Sequence, residues 1–490
     1  MIRDLIQLFV VVGLIVLCTK PLGQHLKNVM NYGSSTFLDS MLKRIELYIY
    51  RYLKVNPKKE QDWKEYLGSI LIFSGVCLFF TFFILLLQAY LPLNPQKFKD
   101  LNWDLAWNTA VSFMTNTNWQ SYGGESTMSY LSQMWPLTLQ NFISAGVGLC
   151  VCGCFVRALS RSSTSTLGNF WVDITRIVLY LLIPMACVMA VLLVACGCPQ
   201  NFHDYVTAST FEGETQIIVQ GPIASQEAIK MLGTNGGGFT NVNSCHPYEN
   251  PTPFSNLIQM VAMLLIPSAQ IYYLGLEVKN KKHAWTLFSS MMAILIAGFL
   301  IITHYERVGN SNLSPFGLDT VANYEGKETR FGITGSSLFA TLTTATSTGA
   351  VNCSHDSLTP IGGVIPFINM QLEEVIFGGV GAGLYGSIIF VVLAIFLAGL
   401  IIGRTPEYLG KKIEAYDIKA AIFTAIPFLI SILGFTAWAS VSAWGTNALG
   451  NQGAHGFSEM LYAFTSATAN NGSAFAGLST NTKIWNITLS

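Results

Sequence analysis

The chain is 490 residues long, 51% hydrophobic and 11% charged, with 27 Lys+Arg balanced by 27 Asp+Glu. Soluble domains carry about 25% charged residues, so this balance points to lipid as the solvent. A formal net charge of zero leaves no basic footprint for nucleic acid or another acidic partner.

A helix needs about 20 apolar residues to cross a hydrocarbon core of roughly 30 Å. The first run, residues 5–18 after Arg3, has no small-x-small cleavage site, and Ile15-Val16-Leu17 ahead of Cys18 lacks the small residues of a lipoprotein site. It reads as a retained first span. Further runs follow at 67–91, 142–156, 174–196, 257–274, 284–303, 386–402 and 420–444, and a glycine-broken apolar stretch at 361–383 precedes the seventh. The segment 20–64 holds nine Lys/Arg. Placing it in the cytoplasm puts the N-terminus outside, and Arg157/Arg161, Lys279/Lys281/Lys282 and Arg404/Lys411/Lys412/Lys419 then fall on the cytoplasmic side in turn. The connections near 204–214 and 310–325, poor in Lys/Arg, fall outside. The ten cysteines are scattered; Cys150, Cys152 and Cys154 share an apolar stretch without polar flanking ligands and read as small buried hydrophobes, not as a metal site.

The external side carries the informative pattern. Four times a membrane run leads into a short, moderately apolar segment and then a polar loop. Segment 103–114 precedes Thr115, Asn116, Thr117, Asn118; segment 225–232 precedes Gly233, Thr234, Asn235, Gly236, Gly237. Segment 336–345 precedes Thr346, Ser347, Thr348, Gly349, and segment 458–469 precedes Asn470, Asn471, Gly472. Segments of about ten residues are too short to span and have the length of re-entrant helices. Ser225 and Ser458 are expected as N-caps, with Glu227 and Glu459 near the positive helix ends. Each helix would aim its negative C-terminal dipole at its loop, so the loops should hold a cation. They contain no carboxylate. The ligands would therefore be backbone carbonyls, helped by Thr, Ser and Asn oxygens, and a carbonyl ring of this kind replaces the hydration shell of K+. The expected fold is an all-α polytopic membrane protein. It has an N-terminal span (1–20), a cytoplasmic loop (21–64) and four pseudo-symmetric pore repeats at 65–165, 166–280, 281–415 and 416–490.

At these loops the sequence resembles the potassium-binding A subunit of the bacterial Kdp potassium-transporting P-type ATPase. The same holds for His246-Pro247-Tyr248-Glu249-Asn250-Pro251-Thr252, Phe377-Gly378-Gly379-Val380-Gly381 and the stretch from Gly403-Arg404-Thr405-Pro406 through Lys411-Lys412. The resemblance runs from the first helix to the last residue. It implies the fold of the potassium channel and Trk/Ktr superfamily, K+ as the transported ion, and a complex with a catalytic B subunit, a C subunit and a small single-span F subunit in the bacterial inner membrane. The family's third loop usually reads Ser-Cys-Gly-Ala where this chain has Thr348; if carbonyls are the ligands, the change should matter little. Family members also continue past the position of Ser490 with the closing helix of the fourth repeat and a final span. The fourth repeat is therefore expected to be incomplete, and residues 486–490 are not expected to supply a helix.

Glu373 and Glu374 sit between apolar 361–372 and the glycines Gly378, Gly379, Gly381 and Gly383. An ionisable group within a span marks function, so a broken helix here could gate the pore below the filter, with Glu374 the stronger candidate. Arg404, at the end of a span, is a further gating candidate, though such a residue more often anchors the helix on the positive side. The chain has neither a P-loop nor an Asp-Lys-Thr-Gly phosphorylation sequence, so ATP and Mg2+ belong to a partner. Two other functions fit the loops: a stand-alone Trk/Ktr-like channel or symporter, and a non-conducting structural subunit.

Overall fold

The computed structural model describes residues 2–310, 317, 322–372 and 375–490. Among them, eight helices are long and apolar enough to cross a membrane. They are α1 (Ile2–Met30), α3 (Trp63–Leu86), α5 (Tyr130–Ser160), α6 (Phe170–Ala195), α8 (Pro253–Glu277), α9 (Lys281–Val308), α12 (Ala382–Ile402) and α13 (Ala415–Ser440). The chain is thus a multi-pass helical membrane protein. Four short helices alternate with the spans: α4 (Trp103–Met114), α7 (Ile223–Leu232), α10 (Gly332–Ala345) and α14 (Gly453–Ala469). Each ends at one of the four polar loops. α7 and α14 start earlier than their serines suggested. Ser225 and Ser458 lie inside the helices, and the N-cap positions are Pro222 and Gln452. Glu459 instead accepts the N–H groups of Gly450 and Asn451 at 3.0 Å each, tying the approach loop to its helix.

The first span does not stop at residue 20. α1 continues through Lys20 and Pro21 to Met30 and packs along α8, where Gly23 lets the backbones meet; a Cβ on it would lie 2.9 Å from Ala269 O. The segment expected as a loop then forms α2 (Asp39–Tyr52). Glu46 on its buried face accepts from Arg176 Nη1 at 3.0 Å and Tyr180 Oη at 2.7 Å, while Met41, Ile45, Tyr48 and Tyr52 form an exposed stripe. Arg157, expected in a charged loop, is instead buried in α5. Its guanidinium grips Asp173 of α6 bidentately at 2.6 and 2.8 Å and caps α1 by donating to Met30 O at 2.7 Å. Tyr66 of α3 donates to the same carboxylate at 2.8 Å. Desolvating such a pair is unfavourable, and attraction offsets it only with this kind of complete hydrogen bonding.

The fold is not purely helical. Antiparallel hairpins β1–β2 (Val206–Ser209, Thr215–Ile218) and β3–β4 (Glu407–Tyr408, Lys411–Lys412) occupy two connections. The second hairpin turns through Leu409 and Gly410, both at positive φ, and sends Lys411 Nζ onto the α5 C-terminus at Ala158 O (2.6 Å) and Arg161 O (2.8 Å). At the end of the chain, residues 486–490 were not expected to be helical, yet Lys483–Thr488 forms α15. It packs on α4, with Trp485 buried and Asn486 Nδ2 donating to Asp104 Oδ2 at 2.8 Å.

The apolar stretch 361–383 is a helix broken in two. α11 (Pro360–Gln371) is capped by Thr359, whose side chain accepts from Gly362 N, and α12 begins only at Ala382, after bends and turns at residues 375–381.

Candidate functional site

All four short helices end in the same way. One residue after or at the C-cap, the backbone turns left-handed at Asn116 (φ 79°), Thr234 (49°), Ser347 (56°) and Asn470 (69°). A left-handed turn at this position ends the helix and frees its last carbonyls from the helical ladder. Asn tolerates the conformation, but a β-branched Thr holds it at a cost of order 1–3 kcal/mol, strain typical of ligand-holding loops. Each loop then folds back on its helix: Asn118, Asn235, Thr348 and Asn471 donate their N–H to Ser112, Lys230, Thr343 and Ser466 O at 2.9–3.0 Å.

The four loops converge. Thr117 Oγ1 donates to Asn470 Oδ1 at 2.6 Å, joining the first and fourth. Asn116 Nδ2 donates to Thr234 O at 2.9 Å and Asn235 Nδ2 returns to Asn116 Oδ1 at 2.5 Å, joining the first and second. Ser347 Oγ donates to Asn470 O at 3.0 Å, joining the third and fourth. At the centre there is no room for a side chain. A Cβ on Gly236 would lie 2.5 Å from Asn471 O and 2.6 Å from Thr117 O; one on Gly349 would overlap Asn471 O, and one on Gly472 would overlap Thr117 O. Gly349 and Gly472 also sit at φ +73° and +96°. Gly237 stands off the centre and packs against Phe113 and Asn118. Thr234, Asn235, Thr348 and Asn471 are fully buried. A cavity of about 460 Å3 lies over the cluster, lined by Gly236, Gly349 and Gly472 together with Trp119, Gln120 and Lys327.

The segment between α11 and α12 lies against the opposite side of the cluster. Gly378 N donates to Ala345 O, the last residue of α10, at 3.0 Å, and Val380 N donates to Thr234 Oγ1 at 3.0 Å. Gln270 of α8 accepts from Gly381 N at 2.7 Å and donates to Gly379 O at 3.3 Å. Gly381 has φ +87°, and a Cβ there would overlap Gly148 O of α5; a Cβ on Gly383 would overlap Phe377 O. Gly378, Gly379 and Gly381 thus share one strap against the loops, and Gly383 packs on it from the first turn of α12. Glu373 and Glu374 lie outside the described residues. Arg404 does not join the strap: it is exposed beyond the far end of α12, whose 21 residues span about 32 Å at 1.5 Å per residue.

Several supporting residues lie outside the loops, within the spans. Ser144 donates to Asn116 Oδ1 at 2.6 Å, Asn141 Oδ1 accepts from Asn118 Nδ2 at 2.5 Å, and Gln270 holds the strap. All three are polar residues in apolar spans, the signal that marks functional positions in a membrane. The cysteines are free thiols, and no cluster of metal-ligating side chains exists among the described residues.

Four re-entrant helices aiming their C-termini at one carbonyl-lined cluster, inside a multi-pass bundle, define a cation-translocating membrane protein. The fold is similar to that of the potassium transporter TrkH from Vibrio parahaemolyticus, at a TM-score of 0.54 and 12% identity over 93% of this chain and 95% of that one. The family model for the potassium-transporting ATPase A subunit matches residues 9–490. The potassium-transporting ATPase potassium-binding subunit of Nitratidesulfovibrio vulgaris strain DP4 is 50% identical over 99% of this chain and 85% of its own length. Those of Granulibacter bethesdensis and Brucella anthropi are 51% and 50% identical, over 98% and 100% of this chain and 85% and 86% of theirs. The chain belongs to the family of the potassium-transporting ATPase A subunit.

Proposed function

We propose that this chain binds K+ in the four-loop cluster and passes it inward as the potassium-binding and translocating subunit of an ATP-driven uptake complex. The observation that carries the reading is the meeting of Thr117 and Asn471 carbonyls with Gly236, Gly349 and Gly472 at one point where no side chain fits. Carbonyl oxygens in a closely packed ring suit a monovalent cation stripped of water, and the absence of carboxylates from the loops keeps a divalent ion from binding more tightly. Thr115, Asn116, Asn118, Thr234, Asn235, Ser347, Thr348 and Asn470 shape the ring through their side chains and left-handed turns. The strap at Gly378, Gly379 and Gly381, with Gly383 packed on it from the first turn of α12, is the gate, a reading supported by its hydrogen bonds to Ala345 O and Thr234 Oγ1. ATP and Mg2+ act at a catalytic B subunit, with C and F subunits completing the assembly in the bacterial inner membrane and the N-terminus outside. The repeats follow the boundaries 65–165, 166–280, 281–415 and 416–490.

The test is Gly349→Asp in the reconstituted complex. Its side chain would occupy the space of Asn471 O, so the K+ concentration for half-maximal ATPase activity should rise at least tenfold. An unchanged potassium dependence would remove the filter assignment.

A further inference from the structure

At one position the four repeats differ in kind. Ser112, Lys230, Thr343 and Ser466 correspond, because each accepts the N–H of a filter residue on its backbone carbonyl. In three of the repeats the side chain at this position also fixes the next part of the loop with a hydroxyl. Ser112 Oγ accepts from Trp119 N at 2.6 Å, Ser466 Oγ accepts from Gly472 N at 3.0 Å, and Thr343 Oγ1 donates to Ala350 O at 2.6 Å. The second repeat has a lysine there.

Lys230 is fully buried. Its ammonium lies within 2.5 Å of Glu227 Oε2, 2.6 Å of Asn243 Oδ1, 2.9 Å of Glu249 Oε2 and 3.3 Å of Ser244 Oγ. Glu227 and Glu249 are also buried, and Glu249 accepts from Thr240 N at 2.6 Å and Thr240 Oγ1 at 2.7 Å. Asn243, held by the ammonium through its Oδ1, donates its Nδ2 to Gly236 O at 2.8 Å. Asn243 sits at φ +56°, so its backbone also holds an uncommon conformation.

Two buried carboxylates and one ammonium are an expensive way to fix a loop, and apolar packing would serve stability as well or better. The other repeats fix theirs with one hydroxyl, so the fold does not demand the charges. What the cluster adds is a rigid donor aimed at the peptide after Gly236, in the ring where Gly236 meets Thr117 and Asn471. From this we infer that Lys230, Glu227 and Glu249 form a charged clamp that acts through Asn243 to hold the Gly236 peptide in one orientation, and that this clamp sets the discrimination of the filter between K+ and a slightly larger ion. These are positioning residues. A ring of carbonyls selects by its size and by the number and stiffness of its dipoles; a peptide fixed by a donor cannot rotate to accommodate a wider ion.

The inference rests on the filter reading above. Its test is Asn243→Asp in the assembled complex, which keeps side-chain size and tolerance of positive φ but removes the donor to Gly236 O. The half-saturating K+ concentration should rise about tenfold and the ratio of Rb+ to K+ half-saturation should narrow at least threefold, with the maximal rate within twofold of the parent. Asn243→Ser, smaller and uncharged, should do the same and decides the matter if the aspartate variant fails to assemble. Unchanged half-saturation and ion ratio in an assembled variant would overturn the clamp, as would a loss of maximal rate alone. Failure of both variants to assemble while Ser244→Ala assembles normally would make the cluster a folding element and overturn it too. Gly349→Asp run alongside separates the two readings: a changed potassium dependence there with none in the Asn243 variants rejects only the clamp, and no change in either rejects the filter.

Discussion

His355 illustrates how single residues outside the loops reach into them. It lies in the connection that follows the third loop, fully buried, with Nδ1 2.8 Å from Tyr462 Oη. The tyrosine hydroxyl is 2.8 Å from Ser473 Oγ, and Ser473 donates both its N–H and its hydroxyl to Asn471 Oδ1 of the fourth loop. Burial, reinforced by the charge of Lys327, pushes the imidazole down from its ordinary 6.5 to about 4. The unfolded chain therefore binds a proton that the folded chain refuses between those values. Stability is complete above pH 6.5 and falls by about 1.4 kcal/mol per pH unit as pH drops toward 4. Thermal unfolding of the purified protein across this window should show that slope, and His355→Gln should flatten it. An unchanged slope in the variant would place the titration elsewhere. Nothing in the sequence marked His355 apart from the other dispersed histidines, because its importance comes from a tyrosine more than a hundred positions away.

At the scale of elements, the break between α11 and α12 is the feature with most consequence. Its cause is local: Phe377, Gly378 and Gly381 all take positive φ, which a continuous helix cannot include. The glycines were readable as a helix breaker, but the sequence did not say where the freed backbone groups would go. They go to Ala345 O, Thr234 Oγ1 and Gln270, so the strap is fastened to two of the four filter repeats and to a neighbouring span. Gly381→Ala would push a methyl into Gly148 O and force the strap away from the cluster. Proteoliposomes carrying the variant complex should then leak Rb+ without ATP, at least fivefold above the parent. A leak equal to the parent's would mean that the strap is not the barrier. The short helices tell the same story in reverse: their C-terminal ends followed from apolar pattern and polar loop, whereas their starts at Ile223, Gly332 and Gly453, and with them their lengths, did not follow from a capping rule.

Across the whole molecule, the bundle is closed at the end remote from the loops by buried charge. Arg157, Asp173, Tyr66 and Met30 O bring α5, α6, α3 and α1 together at one point. Removing one member leaves the other charge buried without a partner, a loss of about 3–5 kcal/mol, while neutralising both loses much less. Arg157→Met should therefore lower the unfolding temperature in detergent sharply, and Arg157→Met/Asp173→Asn should recover most of the loss. Equal losses in both would mean that the pair acts through packing alone.

The sequence by itself determined the number of spans among the described residues, the presence of the four re-entrant segments and the residues of the loops, since each follows from local hydropathy, length and backbone preference. Arg157 and Lys230 lay beyond it. A cation in an apolar sequence reads as an anchor or an anomaly until the chain brings its counter-charges to it; here Asp173 comes from the next span and Glu249 from beyond the second loop, joining Glu227 one turn away on the helix of Lys230. Tertiary structure alone decided that four separate loops meet at three glycines, that the strap fastens to Ala345 O and Thr234 Oγ1 and that Arg404 stays out. Those outcomes depend on long-range packing, and no local preference encodes them.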